Sequence, residues 1–111
     1  MKTTAHLEPD QLEGVARLFG VLAEPTRLAI LQELKETPRS VGELVDALGA
    51  KQANVSKQLG ILHAAGLLDR RREGSQVIYS IREPMIFELC GLVCGKLRRD
   101  AEHQARLFRK V

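Results

Sequence analysis

The sequence predicts a mainly α-helical fold carrying one small β-hairpin. Three observations lead there. Apolar residues recur at three- and four-residue spacing over most of the chain. The period drops to two in a single stretch, residues 68–82. Prolines, glycines and a capping pair punctuate the helical stretches near their ends. At 111 residues, with 44% apolar and 28% charged side chains, the chain has the size and composition of one soluble globular domain.

Residues 10–22 (DQLEGVARLFGVL) place Leu12, Val15, Ala16, Leu18, Phe19 and Leu22 at helical spacing. Pro25 then fits the first turn of a second helix, where its missing N–H costs nothing. Leu28, Ile30, Leu31 and Leu34 carry that helix to about Glu36, and Thr37-Pro38 ends it, because the residue before a proline avoids helical geometry. Ser40 and Glu43 form a capping-box pattern for a short third helix. That helix turns Val41, Leu44, Val45 and Leu48 inward and stops at Gly49. A fourth helix over residues 52–65 aligns Val55, Leu59 and Leu62 in one apolar stripe, and Gly66 closes it. Residues 68–72, a Glu73-Gly74-Ser75 turn and residues 76–82 read as the hairpin. From Glu83 to about Lys110 the helical pattern returns unbroken, with Pro84 acceptable in its first turn.

A short helix, a tight turn and a second helix (40–65), followed by a two-stranded wing (67–82) and a long last helix (83–110), is the winged helix-turn-helix order within a single domain, residues 1–111. With Val55, Leu59 and Leu62 inward, a step of about 100° per residue points Ala53, Asn54, Lys57 and Ile61 outward. Gln52, Ser56 and Gln58 fall on the flanks. Amides can contact adenine edges, lysine guanine or phosphate, and hydroxyls phosphate, so Gln52, Asn54, Ser56, Lys57 and Gln58 are candidate DNA contacts. Arg70, Arg71 and Arg72 in the wing are candidates for backbone or minor-groove contact.

Charge is distributed to match. Residues 51–82 hold six basic and two acidic side chains, whereas residues 1–50 hold five basic and eight acidic. The positive potential is thus concentrated on the segment read as DNA-binding.

No apolar run approaches membrane-spanning length, and residues 1–10 lack the apolar core of a signal peptide. The expected location is the cytoplasm, without membrane association. Thiols stay reduced there, so Cys90 and Cys94 are expected as free thiols or metal ligands.

The stretches LAEPTRLAILQEL (22–34), VGELVDALGAKQANVSKQLGILHAAGLL (41–68) and DRRREGSQVIYSI (69–81) resemble the ArsR/SmtB family of small bacterial repressors. The match covers residues 12–82 in register, and the long last helix also fits. The resemblance implies a homodimer built from the first and last helices, two recognition helices on a palindromic double-stranded operator, and repression relieved by an inducer. It also assigns Gln52, Asn54, Ser56 and Lys57 to the recognition helix and Arg71, Arg72 and Gly74 to the wing. Two departures stand out: Lys51 replaces the serine many relatives carry before the recognition helix, and Ser75 replaces a basic residue after the wing glycine.

The resemblance leaves the inducer open. The family's arsenic-type Cys-Val-Cys pattern aligns with Ser40-Val41-Gly42, and its zinc-type ligands align with Glu83, Met85, Lys96 and Arg99. The persulfide type needs a cysteine on the second helix, and residues 25–36 contain none. What remains is Cys90 and Cys94 in ELCGLVCGKL. Residues i and i+4 on a helix have Cβ atoms about 5–6 Å apart, wider than the 3.5–4.5 Å typical of a relaxed disulfide. A bridging soft metal or trivalent arsenic spans that gap more easily than direct oxidation does. Reactive sulfur or an oxidant is a second kind of inducer. In a third reading, Cys90, Cys94, Gly91 and Gly95 are only a small-residue packing surface.

No cofactor is expected for folding. A thiol redox enzyme or metal-buffering module is the competing class. The chain has no Cys-x-x-Cys, no Gly-rich phosphate loop and no clustered acid–base set, so no enzymatic activity is expected.

Overall fold

The computed structural model describes residues 6–109. The expectations for residues 1–5 and for the helix end at Lys110 lie outside the described residues. The elements are α1 (Pro9–Leu22), α2 (Pro25–Leu34), β1 (Arg39–Ser40), α3 (Val41–Leu48), α4 (Gln52–Ala64), β2 (Leu68–Glu73), β3 (Gln76–Ile81) and α5 (Met85–Arg109). The mainly helical winged helix-turn-helix architecture is present as the sequence predicts.

Helix starts follow local chemistry. Gln11 Oε1 accepts from Glu8 N at the start of α1, and Glu24 Oε1 accepts from Arg27 N at the start of α2. Both helices begin on a proline. The Ser40–Glu43 capping box forms in both directions, with bonds of 3.1 and 2.8 Å. Gly49 ends α3 in the left-handed region at φ 62°, a conformation that favours glycine. Lys51 provides no side-chain cap for α4, so the first-turn amides of that helix have no partner of this kind.

The sheet has three strands in the order β1-β3-β2, one more than the hairpin expected from sequence. Arg39 and Ser40 pair antiparallel with Tyr79 and Ile78. A two-residue strand has no periodicity to read, and its partner decides its existence. The wing turn is also tighter than expected. Glu73 pairs with Gln76, so the turn residues are Gly74 and Ser75 alone. Gly74 has φ 65° while Ser75 has no positive φ, the signature of a type II′ hairpin turn.

One core joins α2, α3, α4, the sheet and the start of α5. Ile30, Leu31, Leu34, Leu44, Val55, Leu59, Leu62, Leu68 and Ile86 are almost fully buried there. The amides of Arg82 and Glu83 both donate to the Leu67 carbonyl, at 2.9 and 3.3 Å, tying the start of α5 to the exit of α4. The helical stripe of α1 behaves differently. Leu22 is buried, but Leu12, Val15 and Phe19 stay exposed. On α5, Leu92, Val93 and Leu97 are exposed as well. No described helix is long and apolar enough to cross a membrane.

Candidate nucleic-acid interface and thiol pair

The fourth helix sorts its side chains sharply. Val55, Leu59 and Leu62 are fully buried, which anchors α4 against α2 and α3. Gln52, Ala53, Asn54, Ser56 and Lys57 are exposed. Four of the five polar candidates therefore share an open face near the helix start, beside first-turn amides that carry no side-chain cap. Helix starts of this kind favour anions such as backbone phosphate.

Gln58 is the exception, and the expectation of a direct DNA contact there is corrected. It is only 7% exposed. Its Oε1 accepts from Arg27 Nη1 at 2.7 Å, and its Nε2 donates to Asn54 Oδ1 at 3.0 Å. Burial of an amide is costly unless its groups are paired, and both ends are. Sequence spacing set Gln58 on a flank three residues from Val55 and four from Leu62; its side chain is drawn inward by a fixed donor on α2.

That donor is Arg27, which sequence reading missed. Its Nε donates to the Val21 carbonyl at 2.6 Å and its Nη2 to the Gly20 carbonyl at 3.3 Å. These are last-turn carbonyls of α1, and the Gly20 oxygen also accepts from Ala23 N at 3.2 Å. One guanidinium thus ties the end of α1 to the side of α4. The available signal was an arginine near the start of α2, which by itself names no partner.

The wing arginines do not form one patch. Cross-strand pairs place Arg70 with Tyr79 and Arg72 with Val77, while Arg71 pairs with Ile78. Arg70 and Arg72 share one face, and Arg71 lies on the other. There Arg71 Nε meets Glu73 Oε2 at 2.6 Å. Among the described residues, neither Arg70 nor Arg72 forms an ion pair.

Cys90 and Cys94 are both free, the first half-buried and the second exposed. Both line a groove between α2 and α5 with Leu28, Leu31, Gln32 and Lys35. They also border a second, apolar groove, with Phe19, Val93 and Leu97 on its walls. Among the described residues, no group of three or more His, Cys, Asp and Glu side chains gathers as a metal site. Gly91 has nothing within 4 Å of an added Cβ, and Gly95 meets only the end of Arg99 at 3.5 Å. Within the protomer these glycines therefore serve no close helix contact.

A family model described as a helix-turn-helix domain matches residues 22–71. The uncharacterised helix-turn-helix-type transcriptional regulator Rv0081 of Mycobacterium tuberculosis is 45% identical over 85 residues, 76% of this chain and 75% of that protein. Its crystal structure gives a TM-score of 0.77 at 40% identity, covering 89% of this chain and 99% of that one. The solution structure of Mb0332 from Mycobacterium bovis is described as a homodimeric winged helix-turn-helix DNA-binding domain and a possible ArsR-family transcriptional regulator. It gives a TM-score of 0.74 at 31% identity over 93% of this chain and 95% of that one. The crystal structure of AntR, described as an antimony-specific transcriptional repressor, gives a TM-score of 0.77 at 27% identity over 92% and 93% of the two chains.

Proposed function

Because this chain belongs to the ArsR/SmtB family of helix-turn-helix transcriptional regulators, we propose that it is a homodimeric repressor holding a palindromic operator. An inducer at Cys90 and Cys94 releases it. The observation that carries the DNA-reading part is the division of α4. Its apolar stripe is fully buried while Gln52, Asn54, Ser56 and Lys57 stand exposed, and Arg70 and Arg72 share one face of the wing.

The dimer reading is supported by the apolar faces of α1 and α5, which border one groove through Phe19, Val93 and Leu97. Every described residue of α5 from Lys96 onward is exposed. A helix without a packed face is marginal in water, so a second copy would supply its missing partner. The homodimeric description of Mb0332 supports the same assembly. Two-fold pairing would present two α4 helices to successive major grooves, roughly 34 Å apart, and so favours a palindromic site.

For the inducer, the two thiols share one helix face and have no third ligand among the described residues. Their i, i+4 spacing suits a soft metal or trivalent arsenic bridging two thiolates, with the partner's pair available to complete a shared site. The antimony specificity named for AntR supports metalloid chemistry. The exposure of Cys94 favours reactive sulfur or an oxidant as the second reading. The reducing cytoplasm would keep both thiols available.

Affinity for the chain's own promoter DNA should fall steeply with salt. Lys57→Ala and Arg72→Ala should each reduce the slope of log K against log salt by about one. Arg71→Ala should change it less, because Glu73 already engages that guanidinium. A salt-independent affinity would sink the DNA-binding reading.

The inducer is tested by comparing operator release by wild type and Cys90→Ser/Cys94→Ser under arsenite, cadmium, persulfide and peroxide. Arsenite or cadmium should release the wild type and leave the variant bound. Release of the variant at wild-type inducer concentration would remove the thiols from the mechanism.

A further inference from the structure

We infer that Gln58 sets the hydrogen-bonding polarity of Asn54, and thereby which base edge α4 accepts. The inference rests on α4 being the DNA-reading helix. It follows from a relay of forced choices. An arginine guanidinium has donors and no acceptor. Arg27 Nη1 lies 2.7 Å from the Gln58 amide, so the atom facing it must be the oxygen, Oε1. The remaining Gln58 atom is Nε2, which can only donate. It lies 3.0 Å from the Asn54 amide, so the Asn54 atom facing it must in turn be the oxygen, Oδ1. The NH2 group of Asn54 is left for the exposed side of the helix.

The relay is held at its far end. Arg27 donates at the same time to the Val21 and Gly20 carbonyls, 2.6 and 3.3 Å away, so its guanidinium is not free to turn. Gln58 is 7% exposed, so water does not compete for its amide. Flipping Gln58 would bring its NH2 group against the guanidinium and leave two oxygens facing each other or unpaired. An exposed asparagine ordinarily flips to suit its partner. Asn54 is denied that freedom by a residue 31 positions away from Gln58 in sequence.

The consequence is chemical. A free asparagine can grip adenine with both amide atoms, accepting from N6 and donating to N7. Asn54 has its oxygen shared with Gln58 and offers chiefly a donor. Donors match guanine O6 and N7, adenine N7 or thymine O4, whereas cytosine presents a donor of its own. Gln58 is thus a positioning residue that tilts Asn54 away from cytosine on the contacted strand.

The test uses the full-length protein, its own operator and every single-base-pair substitution of that operator, titrated by fluorescence anisotropy. Asn54→Ala locates the position that Asn54 reads in each half-site. Gln58→Glu still accepts from Arg27, so the thermal midpoint should hold. The new carboxylate cannot donate, so Asn54 should flip its NH2 toward it and expose its oxygen. Cytosine at that one position should then gain on guanine and thymine by about tenfold in relative affinity. The other positions should keep their order.

Asn54→Asp provides an independent arm on an exposed residue. It still accepts from Gln58 but has no donor for a base, and should shift preference in the same direction. An unchanged base preference in both variants overturns the inference. So does a uniform loss of affinity at all positions, which would make Gln58 a packing residue only. If Asn54→Ala alters no preference while wild type binds, the base-reading role of Asn54 itself fails, and the inference with it.

Discussion

Replacing Leu97 with glutamate lowers affinity for a palindromic operator by about 10²- to 10⁴-fold and leaves the protomer folded. Leu97 is 58% exposed on α5, outside the core, so a charge there disturbs nothing within one chain. Its neighbours across the groove include Phe19 of α1, itself 52% exposed. If two copies bury these faces together, the carboxylate enters an apolar interface without a partner, and the dimer separates. Each protomer then binds one half-site alone. The lost factor is the effective concentration that linkage provides, with no base or phosphate contact removed. Light scattering should report a monomer, half-site affinity should match wild type, and circular dichroism should be unchanged. A variant that stays dimeric and keeps full-site affinity would place the interface elsewhere.

The second large effect lies on the inward side of the recognition helix. Leu59 is fully buried among α2, α3 and α4. Leu59→Ala removes apolar atoms and leaves a cavity, for an expected loss of about 2–5 kcal/mol. Against a typical total of roughly 5–15 kcal/mol, that is a large share. Urea unfolding at fixed protomer concentration should show a lower midpoint with an unchanged slope. Operator binding should fall only where the folded fraction falls, because Asn54 and Lys57 ride on the same helix. Lys57→Ala should give the opposite result, with weaker DNA binding and an unchanged midpoint. A Leu59→Ala protein as stable as wild type would contradict the packing described for α4.

Local signals were enough for most of the architecture. Ser40, Glu43 and Gly49 act through neighbours within a few residues, so the short helix could be bounded from sequence. The stripe of Val55, Leu59 and Leu62 carried enough periodicity to orient α4. The alternation in residues 76–81 marked the wing. The two-residue strand β1 escaped because its ladder partners, Ile78 and Tyr79, lie 38 and more residues away. The three wing arginines looked equivalent in sequence and were divided by strand pleat and by Glu73.

By itself the sequence determined the winged helix-turn-helix order and the exposed polar face of α4. Both follow from periodicities of 3.6 and 2 and from capping groups that act locally. Only the tertiary structure decided which polar residues are free to face a ligand. Gln58 became an internal strut because Arg27, fixed on α2 by the end of α1, brings a donor to its amide. The apolar stripes of α1 and α5 were legible in sequence. Which parts of them stay uncovered in one chain was decided by how the helices pack: Leu22 and Ile86 join the core, whereas Leu12, Val15, Phe19, Leu92, Val93 and Leu97 do not.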